Sequence, residues 1–366
     1  MITMSNIKRY IVAHGWMEMA ARIVLGGVFV LSAAVKALDP YGTVLKMEEY
    51  FTAMGLEWLS GASVVLTVGL LAVEMLLGVA LVLRAAPRQT AWAALTMNGL
   101  YLLLTLWVAV ANPVADCGCF GDWLVLSNWQ TFGKNVILTL LAVVVFLYRG
   151  EREGCRWGLM GALVAFGATV AFAIYSLIML PVVEKFPFGE GVNIPEAVEK
   201  DLVASAEQSY VICRNMHSGE LVSFEADDER WWQEGCWEFV ELKSPASELR
   251  VRPSEFVLHA GDYNLTPQVM QARMCRLLCV ERLDRLSLKE IVKLRAIAAD
   301  CLQRGDRVVV VTASPLIEAQ TLFPGVEFCN LDPVVLRALL RAPAGMVSIS
   351  CGTILHKGSL WGIRID

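Results

Sequence analysis

Two cysteines separated by one glycine carry the most distinctive reactive groups of this sequence, at Cys117, Gly118 and Cys119. Thiols this close can close only a small and strained ring, and the glycine supplies the backbone freedom that the ring requires. Because a strained disulfide is more oxidising than a relaxed one, the pair is suited to passing electrons or a disulfide onward. A structural tight turn and a pair of metal ligands are the alternatives. A Cys-x-Cys pair in a chain with four histidines is poor for zinc, and no C-x-x-C-H haem signature is present.

A second group of candidate residues is charged and lies inside apolar segments. Glu74 falls in the middle of one such segment, where an ionised carboxylate is costly and usually faces protein or water. Counting about 1.5 Å per helical residue puts Asn98 at a similar depth and Arg22 about one turn nearer the cytoplasm. The sequence therefore predicts a buried Arg22–Glu74 pair. The pair is either part of a proton or quinone site or a polar clamp that fixes helix packing.

Lys36 and Asp39 are expected at the outer rim of the first apolar segment, on the same side as the Cys117 loop. A lysine in that position would favour the thiolate form of a nearby cysteine. The alternative is that the Lys36 ammonium group snorkels to water along its aliphatic stem.

Long uncharged runs place these residues in a membrane. The chain has 366 residues, of which 56% are hydrophobic, and this excess is concentrated before about residue 183. A helix needs roughly 20 apolar residues to cross the hydrocarbon core, and lipid offers backbone amides no partner outside a helix. Five segments qualify: 19–38, 62–83, 91–111, 136–148 and 157–183. The fourth is short, and we expect it to begin inside the preceding loop. A cleaved signal peptide is the alternative for the first, although it lacks a clean A-x-A site and four more spans follow.

Basic residues in short loops predict the orientation of these spans, because positively charged loops stay in the cytoplasm. Three clusters fall on one side if the chain weaves through the membrane: Lys8 and Arg9, Arg84 and Arg88, and Arg149, Arg152 and Arg156. The N-terminus is then cytoplasmic, and the loops 39–61 and 112–135 and everything after Val183 lie outside. The sequence predicts a multi-pass protein of a bacterial inner membrane whose second half is periplasmic.

The second half has the mixed composition of a water-soluble domain. A linker and a small antiparallel sheet are predicted over 184–253, and an α/β domain over 254–366. The elements of that domain are strands at 274–281, 307–312 and 326–329, helices at 287–303 and 333–340, and a hairpin over 346–356. A β-α-β crossover followed by a helix and a terminal hairpin is the thioredoxin order of elements. The predicted fold is a membrane bundle, with four spans over 1–150 and a fifth in 151–183, followed by an extracytoplasmic thioredoxin-like domain.

Several stretches of the first half resemble DoxX/MauE-type membrane proteins: RIVLGGVFVLSAAVKALDP at 22–40, the span around Glu74, and the DCGCFG–W–T–KN pattern at 116–135. The segments GVNIPEAV at 191–198, VVVVTAS at 308–314 and GMVSISCGTILHKG at 345–358 resemble the longer form of that family in Bacteroidetes-type bacteria, in which a thioredoxin-like domain follows the bundle. The resemblance implies a role in thiol chemistry. MauE-type proteins are implicated in maturing the disulfide-rich small subunit of methylamine dehydrogenase, and DoxX-type proteins in membrane-linked thiol homeostasis.

The second half departs from a working thioredoxin domain in two ways. The start of its first helix, where C-x-x-C is expected, reads RLDRLSLKE at 282–290 and contains no cysteine, and the proline expected just before the hairpin is displaced to Pro343. The domain is therefore expected to be redox-inactive, and to dock a partner or cap the bundle. Most of its cysteines are expected to be buried as small apolar side chains, and Cys213 and Cys236 are a candidate pair.

These observations favour a redox-associated membrane protein that uses Cys117 and Cys119 to support thiol maintenance or disulfide maturation in exported proteins, with Lys36, Glu74 and Arg22 in supporting roles. The alternative is a non-catalytic assembly factor whose periplasmic domain binds a partner. A transporter is a third class, but broken-helix signals and an internal repeat are lacking. The expected partners are the lipid bilayer and a periplasmic protein or thiol client, and the mild net charge of -5 gives no support for nucleic acid. A quinone is the one cofactor that the intramembrane site suggests, since the sequence has no nucleotide, haem or metal signature.

Overall fold

The chain divides into two compact units, Met1–Val183 and Glu184–Asp366. The structure, a computed structural model, describes residues 15–114, 118–119, 126–149, 154–181, 187–207, 210–225, 228, 230, 236–243 and 251–363. Of the residues predicted to carry chemistry or to set the topology, Cys117, Lys8, Arg9 and Arg152 lie outside the described ranges.

Six α-helices are described in the first unit: α1 Gly15–Leu38, α2 Pro40–Ala53, α3 Ser63–Val82, α4 Pro87–Ala111, α5 Asn128–Leu147 and α6 Arg156–Met179. Five of them, all except α2, are long and apolar enough to cross a membrane, so the prediction of five spans is confirmed. The fourth span begins inside the preceding loop, as expected, because Ser127 and Gln130 form a capping box that starts the helix at Asn128.

Helix α2 lies within the region 39–61, for which the sequence predicts a loop. The Asp39 carboxylate accepts a hydrogen bond from the Gly42 amide at 3.1 Å, and Pro40 occupies the first turn. A capping aspartate followed by proline favours a helix start at this position. Tyr41, Val44 and other residues of α2 are buried, so the helix belongs to the packed bundle.

The first and second spans approach each other closely at a pair of glycines. A Cβ atom built on Gly26 of α1 would lie 2.7 Å from the carbonyl oxygen of Gly78 in α3. A Cβ atom built on Gly78 would lie 2.8 Å from the carbonyl oxygen of Gly26. Small residues at a crossing allow helix backbones to come together in a membrane. Because of this crossing, the polar residues of α1 and α3 lie close to one another.

The second unit contains the helix α7 Ile194–Glu207 and a small antiparallel sheet in the order β2–β1–β3. The strands are β1 Tyr210–Asn215, β2 Leu221–Glu225 and β3 Trp237–Lys243. Beyond them lie β4 His259–Ala260, β5 Tyr263–Asn264, α8 Thr266–Gln271, β6 Cys275–Val280, α9 Leu288–Gln303, β7 Arg307–Thr312, α10 Leu316–Leu322, β8 Glu327–Asn330, α11 Pro333–Leu340, β9 Ala344–Ser350 and β10 Thr353–Ser359.

These later strands form one sheet in the order β10–β9–β6–β7–β8–β4–β5. Strands β6, β7 and β8 are parallel, whereas β9 runs antiparallel to β6 and to β10. One face of the sheet packs Leu278 and Val310 against Leu294 and Ile297 of α9. The prediction of a strand-rich second half is confirmed. Within the described residues no peptide bond is cis, and Pro343 is included among them.

Most cysteines of this unit are buried in strands. Cys275, Cys279 and Cys329 are fully buried, and burial raises the pKa of the Cys275 and Cys329 thiols to about 12. The proposed Cys213–Cys236 pair is wrong, since both are free thiols. The register explains this: Cys213 lies opposite Phe239, whereas Cys236 precedes β3 and its carbonyl pairs with the Met216 amide.

Candidate functional site

The carboxylate of Glu74 is the centre of a buried polar cluster in the first unit. Lys36 Nζ donates to both Glu74 oxygens at 2.8 Å, the Tyr101 hydroxyl donates to Oε1 at 2.6 Å, and the Ser32 hydroxyl lies 3.1 Å from Oε2. Glu74 is 1% exposed and Lys36 5%. A charge at this depth requires an opposite charge or several hydrogen bonds, and Glu74 has both.

Three spans supply the cluster. Ser32 and Lys36 lie one turn apart on α1, and the Lys36 ammonium group also donates to Ser32 Oγ at 2.9 Å. Glu74 comes from α3, one turn along the helix from Gly78, where α1 and α3 cross closely. Tyr101 comes from α4. The crossing of α1 and α3 therefore brings the ammonium and carboxylate groups together.

The predicted pair between Arg22 and Glu74 is wrong. Arg22 Nε lies 3.4 Å from Glu18, and an Arg22 guanidinium nitrogen donates to the Leu81 carbonyl at 3.1 Å. Leu81 is seven residues beyond Glu74, which is about 10 Å along a helix axis, so Arg22 is too far toward the other end of the bundle. Arg84 also reaches Glu18, at 3.5 Å, and these contacts link the ends of α1 and α3.

Lys36 does not snorkel to water. Its side chain is 6% exposed and is directed inward to Glu74. Lys36 is therefore the cation that pairs with Glu74, a role for which the sequence predicts Arg22. Asp39, the second residue predicted at this rim, caps the start of α2.

The cysteine loop contacts this cluster through its backbone. The Ser32 hydroxyl lies 3.0 Å from the Cys119 carbonyl oxygen, so one side chain links the loop to Glu74. Gly118 has φ +65°, and a Cβ atom there would lie 2.7 Å from Lys46 Cγ of α2. Glycine is therefore required for the loop to pass this close to α2. Cys117 lies outside the described residues.

A cavity of about 130 Å³ lies between the cluster and the loop. Ser32, Lys36, Glu74 and Tyr101 line it, together with Gly118 and Cys119. Asn98, predicted at the depth of Glu74, lines the same cavity, and the rest of its wall includes Leu25, Phe29 and Leu138. The cavity thus joins a thiol-bearing loop, a buried ion pair and an apolar surface.

Thr43 of α2 adds an unsatisfied polar atom to this cavity. Its hydroxyl oxygen is buried, and no hydrogen-bond partner for it lies within the described ranges. A buried hydroxyl without a partner costs free energy, so a water or a ligand atom would stabilise it. Among the described residues, no group of three or more His, Cys, Asp or Glu side chains is placed so that it could hold a metal ion.

Sequence reasoning missed Ser32 and Tyr101. The spacing of Ser32 and Lys36, four residues apart on one apolar helix, is the signal that could have identified the first. Tyr101 lies three residues from Asn98, on the same helix face, so the depth argument used for Asn98 applies to it as well. Neither signal identifies Glu74 as the common partner.

The five spans define a multi-pass membrane protein. Residues 14–148 match the model of the family described as methylamine utilisation protein MauE. The match includes the first four spans, the buried cluster and the cysteine loop, and it supports the resemblance to a MauE/DoxX-type membrane protein. Comparison with the curated proteins found no match, and neither did comparison with the solved structures.

Proposed function

We propose that the protein is a membrane thiol–disulfide redox protein in which Cys117 and Cys119 exchange electrons with a thiol client. The observation that carries this proposal is the position of Cys119 at a cavity shared with the buried Lys36–Glu74 pair. The match to the MauE family over this segment supports a role in the maturation of disulfides in exported proteins.

The reaction divides into two balanced steps. A Cys117–Cys119 disulfide takes two electrons and two protons from a client dithiol, which becomes a disulfide while the loop becomes a dithiol. Reoxidation of the loop then releases two electrons and two protons to an acceptor. Glu74, Lys36 and Tyr101 are the proton-carrying groups beside the loop, and the apolar wall of the cavity favours a lipid-soluble acceptor, for which a quinone remains the candidate.

The test is to trap thiols in living cells by acid quenching and alkylation, and to read peptides that contain 112–134 by mass spectrometry. We expect both the disulfide and dithiol forms, with a ratio that changes when client synthesis is induced. Cys117→Ser and Cys119→Ser abolish function, and Cys155→Ser is the matched control because Cys155 is an exposed cysteine outside the cavity. A loop that stays reduced under oxidising growth, with full function of Cys117→Ser, contradicts the proposal.

The second candidate is a scaffold or assembly factor whose second unit binds a partner. The sheet order β10–β9–β6–β7, with α9 between two parallel strands, supports a thioredoxin-like fold for that unit. No cysteine lies between Val280 and Leu288, where such a fold carries its redox pair. If this candidate is correct, a partner co-purifies with the Cys117→Ser, Cys119→Ser double variant as well as with the unmodified protein. Dependence of that interaction on either thiol contradicts the scaffold.

A further inference from the structure

Asn98 is a buried polar side chain whose hydrogen-bonding groups are only partly used. It lies on α4, is 2% exposed, and lines the same cavity as Lys36 and Glu74. Its Nδ2 donates to the Ala94 carbonyl one turn earlier at 2.8 Å, and no other hydrogen bond of Asn98 lies within the described ranges. A carboxamide has two N–H groups and an acceptor oxygen, so one N–H and Oδ1 are left for a molecule in the cavity.

The size and shape of the cavity fit a ring that carries an apolar chain. Its volume is about 130 Å³, and an apolar cavity of roughly 150 Å³ holds a benzene ring. The wall follows α1 from Leu25 to Lys36, a distance of roughly 16 Å along the helix axis, so the space is narrow and elongated. The end near Leu25 is apolar, because Leu25 and Phe29 pack with Leu138 in one hydrophobic cluster.

The charges of the cavity wall are compensated within the protein. Lys36 pairs with Glu74 at 2.8 Å, and Lys46 pairs with Glu49 at 2.5 Å. Lys134, the third lysine of the wall, also has an interaction partner. A phosphate or carboxylate head would therefore bring a charge into a largely apolar space whose cations are already engaged, and this is costly. The wall favours a neutral head group that forms hydrogen bonds.

We infer that the cavity binds the ring of a lipid-soluble quinone and that Asn98 is the side chain that bonds a ring oxygen. A quinone carbonyl accepts a hydrogen bond, and the remaining N–H of Asn98 donates it. The hydroxyl of the reduced quinol donates a hydrogen bond, and Oδ1 of Asn98 accepts it. One neutral side chain thus binds both redox forms, and no change in the charge of the protein is required.

The choice of a quinone among neutral amphiphiles rests on the proposed function, which requires an acceptor of two electrons. On reduction the quinone takes up two electrons and two protons, the same numbers that a dithiol releases when it becomes a disulfide. Because Asn98 bonds both forms, the ring keeps its place while it is reduced. The cavity, its neutral wall and the unused groups of Asn98 do not depend on the redox role.

The test measures the binding of three tritiated probes to the full chain in lipid nanodiscs, with nanodiscs that contain lipid alone as the blank. The probes are a decyl-substituted benzoquinone, its quinol, and decylbenzene, which has the ring and chain without the oxygens. The ring oxygens find no hydrogen-bond donor in hydrocarbon, so a donor in the cavity favours their binding. We expect the quinone and the quinol to bind about fivefold more tightly than decylbenzene, the factor that corresponds to a hydrogen bond of about 1 kcal/mol.

Asn98→Leu should remove this preference, because leucine has a similar size and no hydrogen-bonding group. Binding of the quinone and of the quinol should weaken about fivefold, and binding of decylbenzene should stay the same, which shows that the cavity is intact. Thermal unfolding in detergent checks that the variant is folded. Ser176→Ala is the control, since Ser176 is a buried polar residue of α6 that does not line the cavity, and it should leave the binding of all three probes unchanged.

Equal affinities for the quinone and decylbenzene overturn the inference, as does unchanged quinone binding in a folded Asn98→Leu protein. Displacement of the labelled quinone by oleate at lower concentrations than by unlabelled quinone contradicts the neutral head group. The binding measurements need no redox turnover. Cysteines that fail to cycle in cells contradict the proposed function and leave these affinities unchanged, whereas cysteines that cycle in a protein without this quinone binding contradict the inference alone.

Discussion

At the scale of single residues, the chemistry of the bundle depends on how one buried carboxylate is satisfied. Glu74 receives hydrogen bonds from Lys36, Tyr101 and Ser32, which belong to two other helices. In lipid there is no water to replace a lost partner, so each of these contacts also holds the helices in register. The polar clamp and the proton site considered for Glu74 are therefore compatible roles of the same contacts.

Removal of the Glu74 carboxylate should destabilise the bundle strongly. Glu74→Ala leaves the Lys36 ammonium group buried without an opposite charge, and we expect a loss of about 3–5 kcal/mol. Unfolding in detergent, followed by circular dichroism, measures it. Glu49→Ala is the control, because Glu49 pairs with Lys46 through a side chain that is 47% exposed, and its loss should cost about 0–1 kcal/mol. Equal shifts for the two variants would show that the Lys36–Glu74 pair contributes no more than a surface pair.

Gly118 should be less tolerant of substitution than a glycine with the same backbone conformation in open space. Gly118→Ala meets Lys46 Cγ as well as backbone strain at φ +65°, whereas Gly55→Ala at φ +69° has nothing within 4 Å. The strain alone is about 1–2 kcal/mol in each case. Thermal unfolding in detergent should show a larger loss for Gly118→Ala, and Lys46→Ala should recover the difference. If Lys46→Ala recovers nothing, the contact with α2 does not constrain the loop.

At the scale of elements, cysteines in the strands of the second unit are buried as apolar residues. Cys275 and Cys279 point to one face of β6, and Cys329 occupies β8 at the position opposite Val311. Burial raises the pKa of all three thiols, because a thiolate in this interior would be poorly solvated. Such thiols are poor nucleophiles near neutral pH, because the thiolate is the reactive form.

These raised pKa values predict a stability that falls in alkali. Below pH 9 the thiols are protonated in both the folded and the unfolded chain, so their stabilising contribution is complete. Between pH 9 and about 12 the unfolded chain loses these protons and the folded chain keeps them, so the free energy of unfolding decreases. The measurement is maleimide labelling of Cys275 and Cys329 in the full chain as pH rises. Exposed Cys351 should label rapidly throughout, and a labelling rate of Cys329, relative to that of Cys351, that does not rise between pH 9 and about 12 would contradict the prediction.

At the scale of the whole molecule, the number of spans predicts the side of the membrane on which the second unit lies. Five candidate spans are described, and an odd number puts the two ends of the chain on opposite sides of the membrane. The basic residues near Arg84 and Arg156 then favour a cytoplasmic N-terminus. We therefore expect a C-terminal alkaline phosphatase fusion, which is active only outside the cytoplasm, to be active.

A fusion at Ala86, in the short connection between α3 and α4, is the matched control and should be inactive in the same assay. A green fluorescent protein fusion at each point should give the reverse pattern, because this protein fluoresces in the cytoplasm and does not become fluorescent when the general secretory route exports it. Phosphatase activity of the Ala86 fusion, with an inactive C-terminal fusion, would show that the topology is the inverse of the predicted one. It would then place the cysteine loop in the cytoplasm and remove the oxidising environment that the proposed function requires.

The sequence by itself determined the five spans and the strand-rich second half, because both follow from local patterns. Lipid requires long apolar helices whatever their neighbours are, and alternation of apolar residues indicates strands before any sheet is assembled. The start of α5 at Asn128 was also encoded locally, by Ser127 and Gln130. Asp39 and Pro40 encode the start of α2 in the same way, although the prediction for this region was a loop.

Only the tertiary structure decided which cation meets Glu74. Arg22 and Lys36 lie on the same helix, about 21 Å apart along its axis, and either could face a carboxylate on a neighbouring span. The choice depends on the vertical offset and rotation of α1 against α3, which are set by the close contact of Gly26 and Gly78. The offset and the rotation cannot be predicted from the hydropathy of a single span, because apolar residues that face lipid and apolar residues that face protein have the same sequence pattern. The contact of Ser32 with Cys119, which are 87 residues apart, follows from the same helix packing.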